Sequence, residues 1–358
     1  MSDRGLGARL AGRAGPPIDG ADLAACREAI RAGSLSFHSA SRLLPRGVRD
    51  PALALYAFCR LADDAVDEGA DTGGAVLRLR ARLDAIYDGR PEDAPADRAF
   101  AAVVQGTAMP RALPEALLEG LAWDAVGREY RTLSDLHAYG ARVAGAVGAM
   151  MCVLMGVRDR HALSRACDLG AAMQLTNIAR DVGEDAAMGR VYLPLDWLEE
   201  AGVDRGGFLA DPLPTDAVRA VVGRLLGEAR RLYFRAEAGI AALPRAARPG
   251  IWAARLAYAG IGGRVAANGH DSVSRRAVTS RAAKLGWLAQ AGLRTGIGMA
   301  MPRSAVLYAA PLPEAAFLVD AACGPAKGGA WGEGRGGALL AVLAQLEAQD
   351  RAARLAAE

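Results

Sequence analysis

Tyr56–Glu68 reads YAFCRLADDAVDE, and this stretch decides the fold. Asp63 and Asp67 are four residues apart, so in a helix of 3.6 residues per turn they stack on one face. Arg60 and Tyr56 extend that face at further steps of three and four, with Asp64 beside it. Phe58, Leu61, Ala65 and Val66 fill the other faces. A second stretch, Gln174–Asp185, reads QLTNIARDVGED. Gln174, Asn177, Asp181 and Asp185 step by three, four and four, which again makes one polar stripe, while Leu175, Ile178 and Val182 point elsewhere. Two helices each carry a carboxylate pair inside sequence that otherwise looks core-forming.

Carboxylates facing one another across a core repel and desolvate badly unless a cation lies between them. Oxygen ligands without His or Cys nearby suit Mg²⁺, with Mn²⁺ as a substitute. Mg²⁺ is usually held by one or two carboxylates together with substrate phosphates. The metal candidates are therefore Asp63, Asp64, Asp67, Asn177, Asp181 and Asp185. Arg60 offers a forked donor to a phosphate, so the implied substrate is a phosphate or diphosphate ester. A single such pair is common on solvated helix faces, where Lys or Arg partners line the stripe. Here the stripes are mostly Asn, Gln and Ala.

The chain has 358 residues and is 52% hydrophobic, enough for a sizeable core. Aromatic residues make up only 5%, so Ala, Leu and Val dominate, which favours helices over sheets. A net charge of +3, from 43 basic and 40 acidic residues, is too balanced to argue for nucleic acid. Five scattered cysteines without a Cys-x-x-Cys fit reduced thiols in a cytoplasm. The four histidines form no zinc pattern, and neither a dinucleotide fingerprint nor a P-loop is present. The N-terminus lacks the apolar region of a signal peptide. The charge-free run Val143–Val157 is too short to span a bilayer and reads as a buried helix.

Along the chain, residues 1–20 are Gly/Arg/Pro-rich and expected to be disordered. Helices are expected over Ala21–Ala32, Phe37–Leu44, Ala52–Glu68, Val76–Tyr87, Ala96–Ala108, Leu113–Tyr130, Ser134–Val157, His161–Ala187, Thr215–Ala242 and Ala246–Asn268. Pro45 and Pro51 bracket a turn. Ser34 or Ser36 would cap the helix that follows. In YGARVAGAVG (Tyr139–Gly148) the small residues let a helix or a ligand approach the backbone closely. Arg142 there reads equally as an ion pair at a cavity rim or as a surface residue. Trp123 and Tyr192 read as packed aromatics. In NGHDSVSRR (Asn268–Arg276) and just around it, Arg264, Arg275, Arg276 and Lys284 either reach phosphates or lie on a solvated face. Residues 301–358 form an extension, with a Gly-rich linker at Gly324–Gly337 and an amphipathic helix at Ala338–Ala357.

Four of these stretches, SLSFHSASRLLP (Ser34–Pro45), YAFCRLADDAVDE, YGARVAGAVG and QLTNIARDVGED, resemble, in order, signatures of the squalene/phytoene synthase family of head-to-head prenyl synthases. The likeness runs from about Cys26 to Leu285. It implies an all-α, single-domain helical bundle around a central cavity, the class I isoprenoid synthase fold, with residues 21–300 as the catalytic domain. It implies Asp63, Asp67, Asp181, Asp185, Arg60 and Tyr139 as catalytic groups. Substrate would be bound by Ser34, Ser36, Tyr56, Arg60, Val143, Gly148, Gln174, Asn177, Tyr192, Arg264 and Arg275. Ser34 and Ser36 would sit on a flap over the diphosphates, and Tyr139, Val143 and Gly148 would line the prenyl cavity. The implied reaction joins two geranylgeranyl diphosphates through a cyclopropyl diphosphate to phytoene, with Mg²⁺ and without NADPH. The alternatives are a C15-specific dehydrosqualene, squalene or presqualene diphosphate synthase, or a non-catalytic relative acting in assembly, which would be expected to lose the aspartates. Apolar substrate and product imply a cytoplasmic protein loosely associated with the inner membrane surface, handing its product to a desaturase, with no nucleic-acid partner.

Overall fold

The computed structural model of the protein describes residues 16–67 and 72–324, and every regular element among them is helical. Helix α1 (Gly20–Gly33) starts where the Asp19 carboxylate accepts the N–H of Ala21 at 2.8 Å. Ser34 ends α1 and caps α2 (Leu35–Ser41), its hydroxyl accepting the N–H of Phe37. Helix α3 (Arg46–Asp67) begins at Arg46 rather than at the expected Ala52 and carries Pro51 inside it. The proline forfeits one bond to the carbonyl of Gly47, close to an end where N–H groups lack partners anyway, so the helix tolerates it.

Helices α4 (Thr72–Tyr87), α5 (Pro95–Thr107) and α6 (Ala112–Ala125) complete the first half. α6 stops short of the expected Tyr130 because Gly127 takes a left-handed turn, with φ of 64°. The single helix expected over 134–157 is three pieces: α7 (Leu133–Gly140), a π turn (Ala141–Gly145) and α8 (Ala146–Leu154). Then come α9 (Arg160–Ala187), α10 (Leu195–Glu200), α11 (Arg205–Ala210), α12 (Asp216–Ile240), α13 (Arg248–Ala267), α14 (Arg281–Ala300) and α15 (Ala316–Cys323).

The long helix α9 is the axis of the bundle. It packs along α12 and also meets α13, α8 and the π turn. Two glycines let α9 and the α8 region cross backbone to backbone. A Cβ on Gly148 would lie 2.3 Å from the carbonyl oxygen of Ala166, and one on Gly170 would lie 2.2 Å from that of Ala144. One apolar cluster, with Phe58 stacked on Phe100 at 4.5 Å, joins α1, α3, α5, α6, α8 and α15. A second, around Leu175, Leu225 and Tyr233, joins α9, α12 and α13.

Part of the chain beyond Ala300 packs into this body. Leu318 and Val319 of α15 are fully buried. The guanidinium of Arg165, on α9, donates to the carbonyls of Val306 at 2.7 Å and of Ala309 and Ala310 at 3.1 Å. Its charge is matched by Asp168 at 2.7 Å, which also accepts from Arg235 at 3.0 Å. The segment expected as a disordered N-terminus lies, up to residue 15, outside the described residues, and so do the Gly-rich linker beyond Gly324 and the amphipathic helix 338–357. All five cysteines are free thiols.

Candidate active site

Asp181 is the one residue inside α9 with non-helical dihedrals, φ −104° and ψ 15°. The cause is an acceptor from outside the helix: the N–H of Gly183 donates to the carbonyl of Ser272 at 3.0 Å. Only glycine allows that approach, since a Cβ at Gly183 would lie 2.2 Å from the carbonyl oxygen of Val273. Asp271 stiffens the docked segment. Its carboxylate accepts the N–H groups of Val273 at 3.2 Å and Ser274 at 2.9 Å, and the Ser274 hydroxyl at 2.6 Å. The segment thereby lays Arg276 on Asp181 and Glu184, both at 3.2 Å. Arg180 also grips Asp181, its Nε donating at 2.7 Å.

Beside this corner lies a cavity of about 430 Å³. Ser34, Tyr56, Arg60 and Asp63 line one side, and Gln174, Asn177, Arg180 and Arg276 line the other. It runs into a second cavity of about 320 Å³ that shares Phe37, Tyr56, Val143, Gln174 and Asn177 and is mostly apolar beyond them, reaching Leu44, Met151 and Ile240. The shape is a polar, arginine-bearing mouth on a hydrocarbon tunnel, which fits an amphiphile with a charged head.

Of the motif aspartates whose side chains are described, only Asp63 lines the cavity; Asp64, Asp181 and Asp185 are not among the residues of either cavity wall. Arg60 lies 2.5 Å from Asp64 and 3.6 Å from Asp63. Burial, then the neighbouring charge of Asp181, push the Asp185 carboxyl up to about 8. The Oδ1 of Asn177 is buried without a hydrogen-bond partner. Among the described residues no three His, Cys, Asp or Glu side chains gather as a ready-made metal cluster. Arginines stand on Asp63, Asp64 and Asp181 instead. Asp185, raised by burial against the charge of Arg190, and the Oδ1 of Asn177 nevertheless offer two oxygen ligands, and an oxygen-only donor set fits a hard divalent cation. The Asp67 side chain lies outside the described residues.

Behind the mouth, the phenols of Tyr139 and Tyr192 both donate to Asp124, each at 2.8 Å. Tyr130, Tyr139 and Tyr192 stack together, with Tyr139 and Tyr192 centroids 5.3 Å apart. Tyr192 is thus a packed aromatic and also a polar group tied to the same carboxylate as Tyr139. Arg142 is an ion pair inside the protein: it meets Glu119 at 2.8 Å and covers the ring of Trp123 at 4.3 Å.

The structure brings Ser34, Tyr56, Arg60, Asp63, Tyr139, Val143, Gln174 and Asn177 to the polar cavity, and Gly148 to the tunnel wall, where it is also the helix-crossing point. Ser36 does not line either cavity; two residues along α2 from Ser34, it faces another way. Arg264 and Arg275 are exposed and away from both cavities. Arg264 is six residues from the cavity-lining Tyr258 on α13, so it falls on a different face, and the turn built on Asp271 delivers Arg276 in place of Arg275. Sequence reasoning missed Asp124, Arg180 and Tyr258. Only Arg180 carried a signal, as the neighbour of Asp181.

The sequence profile of the squalene/phytoene synthase family matches residues 30–283. A phytoene synthase from Cereibacter sphaeroides is 62% identical over 344 residues, covering 93% of this chain and 96% of that protein. One from Rhodobacter capsulatus is 58% identical, covering 92% and 97%. Among solved structures, a dehydrosqualene synthase in complex with a ligand superposes with a TM-score of 0.71 at 28% identity, covering 77% of this chain and 97% of that one. A squalene synthase from Alicyclobacillus acidocaldarius gives 0.64 at 26%, covering 70% and 95%.

Proposed function

This chain belongs to the squalene/phytoene synthase family, and we propose that it condenses two geranylgeranyl diphosphates head to head into phytoene. The observation that carries the reading is the arginine- and carboxylate-lined mouth opening into an apolar tunnel. A Mg²⁺ held by Asp181, Asp185 and Asn177 on α9, and by Asp63, Asp64 and Asp67 on α3, would supply positive charge to the departing diphosphate. Arg60, Arg180 and Arg276 would bind the diphosphate oxygens through their forks, exchanging carboxylate partners for phosphate. Loss of diphosphate from the first substrate leaves an allylic cation at its C1. The double bond of the second substrate attacks it, and loss of a proton closes a cyclopropane. A second loss of diphosphate, rearrangement and loss of another proton give the C40 hydrocarbon. Two diphosphates and two protons leave in all, with no reductant required.

The protein must keep water from both cations. The tunnel wall of Phe37, Val143 and Leu44 is apolar, and Cys59 adds no nucleophile, because burial pushes its thiol up to about 12. Asp124 holds the Tyr139 hydroxyl at the cavity edge, where the phenol dipole can face developing charge. Each buried methylene contributes about 0.8 kcal/mol, so the tails supply ample binding and the mouth is left to orient the heads. With such apolar substrate and product, the enzyme works at a membrane surface in the cytoplasm, beside a desaturase that takes the product.

The test is product analysis by mass spectrometry after incubation with Mg²⁺ and geranylgeranyl diphosphate, with and without NADPH, and in parallel with farnesyl diphosphate. A C40 hydrocarbon from the C20 substrate, indifferent to NADPH, is expected. A C30 product from farnesyl diphosphate alone would move the chain to the activity named for its structural neighbours. No diphosphate release from either would overturn the enzymatic reading.

A further inference from the structure

Helix α14 has an outer face that no described residue covers. Leu285, Leu293 and Ile297 recur at multiples of four residues and are 67%, 65% and 53% exposed, and Met301, the extended residue that ends the helix, is 65% exposed. Ala289 fills the missing step. Among the exposed residues of α14 whose side chains are described, Gln290 is the only polar one. Single exposed apolar residues are ordinary, but a ridge four helical turns long marks an interaction surface. The inner face of α14 is anchored: Trp287 lies over Gly260 of α13, where a Cβ would come within 2.0 Å of its ring, and Ala291 is fully buried.

Charge selects the partner. From Ser272 to Pro313 the sequence contains six basic residues, Arg275, Arg276, Arg281, Lys284, Arg294 and Arg303, and no acid. Arg276 is engaged at the mouth and Arg294 pairs with Glu237 at 3.3 Å, which leaves Arg275, Lys284 and Arg303 as the cations with described side chains beside the ridge. This is the only long run of the chain in which the overall balance of charge is broken so completely. An apolar ridge on a helix flanked by basic residues is the pattern of a helix lying in a lipid surface, its apolar side chains among the acyl chains and its cations at anionic headgroups. No described helix is long and apolar enough to cross a membrane.

Position supports the same partner. α2 and α14 pack on the same small apolar cluster, through Phe37 and Trp287. Leu35, next to the cavity-lining Ser34, is 62% exposed, and Val278, two residues from the cavity-lining Arg276, is 74% exposed. Exposed apolar residues thus also stand next in sequence to lining residues on both sides of the mouth.

We propose that the outer ridge of α14, with Leu35 and Val278 at the mouth, docks the protein on an anionic lipid bilayer, so that a hydrocarbon passes between tunnel and membrane without crossing water. The inference rests on the prenyl-substrate reading of the cavity and adds the surface and the headgroup charge. The test is co-flotation of the full chain with vesicles of phosphatidylcholine alone or with 30% phosphatidylglycerol, at low and high salt. The variants are Leu293→Glu/Ile297→Glu and, as a second probe, Lys284→Glu/Arg303→Glu, and turnover of each is measured in detergent micelles. The expected result is binding at least tenfold tighter to the anionic vesicles, weakened by salt. The double-glutamate ridge variant should lose binding at least tenfold, with micellar turnover and melting temperature unchanged, and the charge variant should lose the preference for phosphatidylglycerol. Equal binding by the wild type and the ridge variant would overturn the proposal. So would a ridge variant that shifts the oligomeric state in sedimentation while vesicle binding stays the same, since that assigns the ridge to a second copy. Micellar turnover reads the enzymatic assignment separately: if it is absent in the wild type, that assignment fails whatever the vesicles show.

Discussion

Gly183→Ala tests the construction of the active-site corner with a single methyl group. The new Cβ would lie 2.2 Å from the carbonyl oxygen of Val273 and 2.9 Å from the carbonyl carbon and Cα of the same residue. All three are backbone atoms, so no side chain can swing aside. The 271–276 segment must retreat from α9 by about 1 Å, which stretches the Gly183–Ser272 hydrogen bond and draws Arg276 off Asp181 and Glu184. A displacement of about 1 Å at a positioned group can cost roughly 100-fold in rate, and overpacking costs about 1–3 kcal/mol of stability. The control is the same chemical change at Gly227, mid-helix in α12 with nothing within 4 Å of its Cβ position. There alanine should be neutral or stabilise by up to about 1 kcal/mol. Steady-state diphosphate release and thermal melting of both variants make the assay. If Gly183→Ala kept kcat within threefold of the wild type, the docked segment would not be part of the machinery.

Three further outcomes follow. Asp124→Ala removes the shared acceptor of Tyr139 and Tyr192; with about 1.5–3 kcal/mol per hydrogen bond to a charged group, it should lower the melting temperature and cut kcat at least tenfold, whereas Asp124→Asn should keep the fold but not the rate. Arg165→Met leaves Asp168 with Arg235 alone and frees the carbonyls of Val306 and Ala309, while Ala310 keeps its bond from Arg235, and breaking a buried pair costs about 3–5 kcal/mol; limited proteolysis should then cut at 303–312, where the wild type resists. Glu228 is raised by burial, but hydrogen bonds from His137 and Arg231 outweigh that and hold it down to about 2. A carboxyl depressed in the folded state stabilises above its unfolded value near 4.5, and the gain, at most ~3 kcal/mol, is lost as pH falls from about 4.5 to 2. Glu228→Gln should therefore flatten the acid limb of the stability curve in that window.

The helices and the polar stripes were legible in the sequence because both are periodic signals within one element. Asp63 and Asp181 declared themselves by spacing alone. Asp124 did not, because its meaning depends on phenols 15 and 68 residues away that only the tertiary fold brings together. The choice of Arg276 over Arg275 turns on the cap that Asp271 makes, a one-residue rotation that composition does not encode. The packing of residues 305–323 was hidden for another reason: Arg165 binds backbone carbonyls there, and carbonyls carry no sequence signature. Pro51 misled in the opposite direction, since a proline early in a helix costs little when the lost bond falls on Gly47.

The central claim is that α3 and α9 together hold a diphosphate head with a divalent cation between them. The direct measurement is the shift in melting temperature caused by a geranylgeranyl thiodiphosphate analogue with and without Mg²⁺, for the wild type, Asp63→Ala and Asp185→Ala. The account predicts a shift of several degrees in the wild type that requires Mg²⁺ and disappears when either helix loses its aspartate; at 100-fold excess over Kd the binding contributes about 2.7 kcal/mol. A Mg²⁺-independent shift, or one that survives both substitutions, would contradict it.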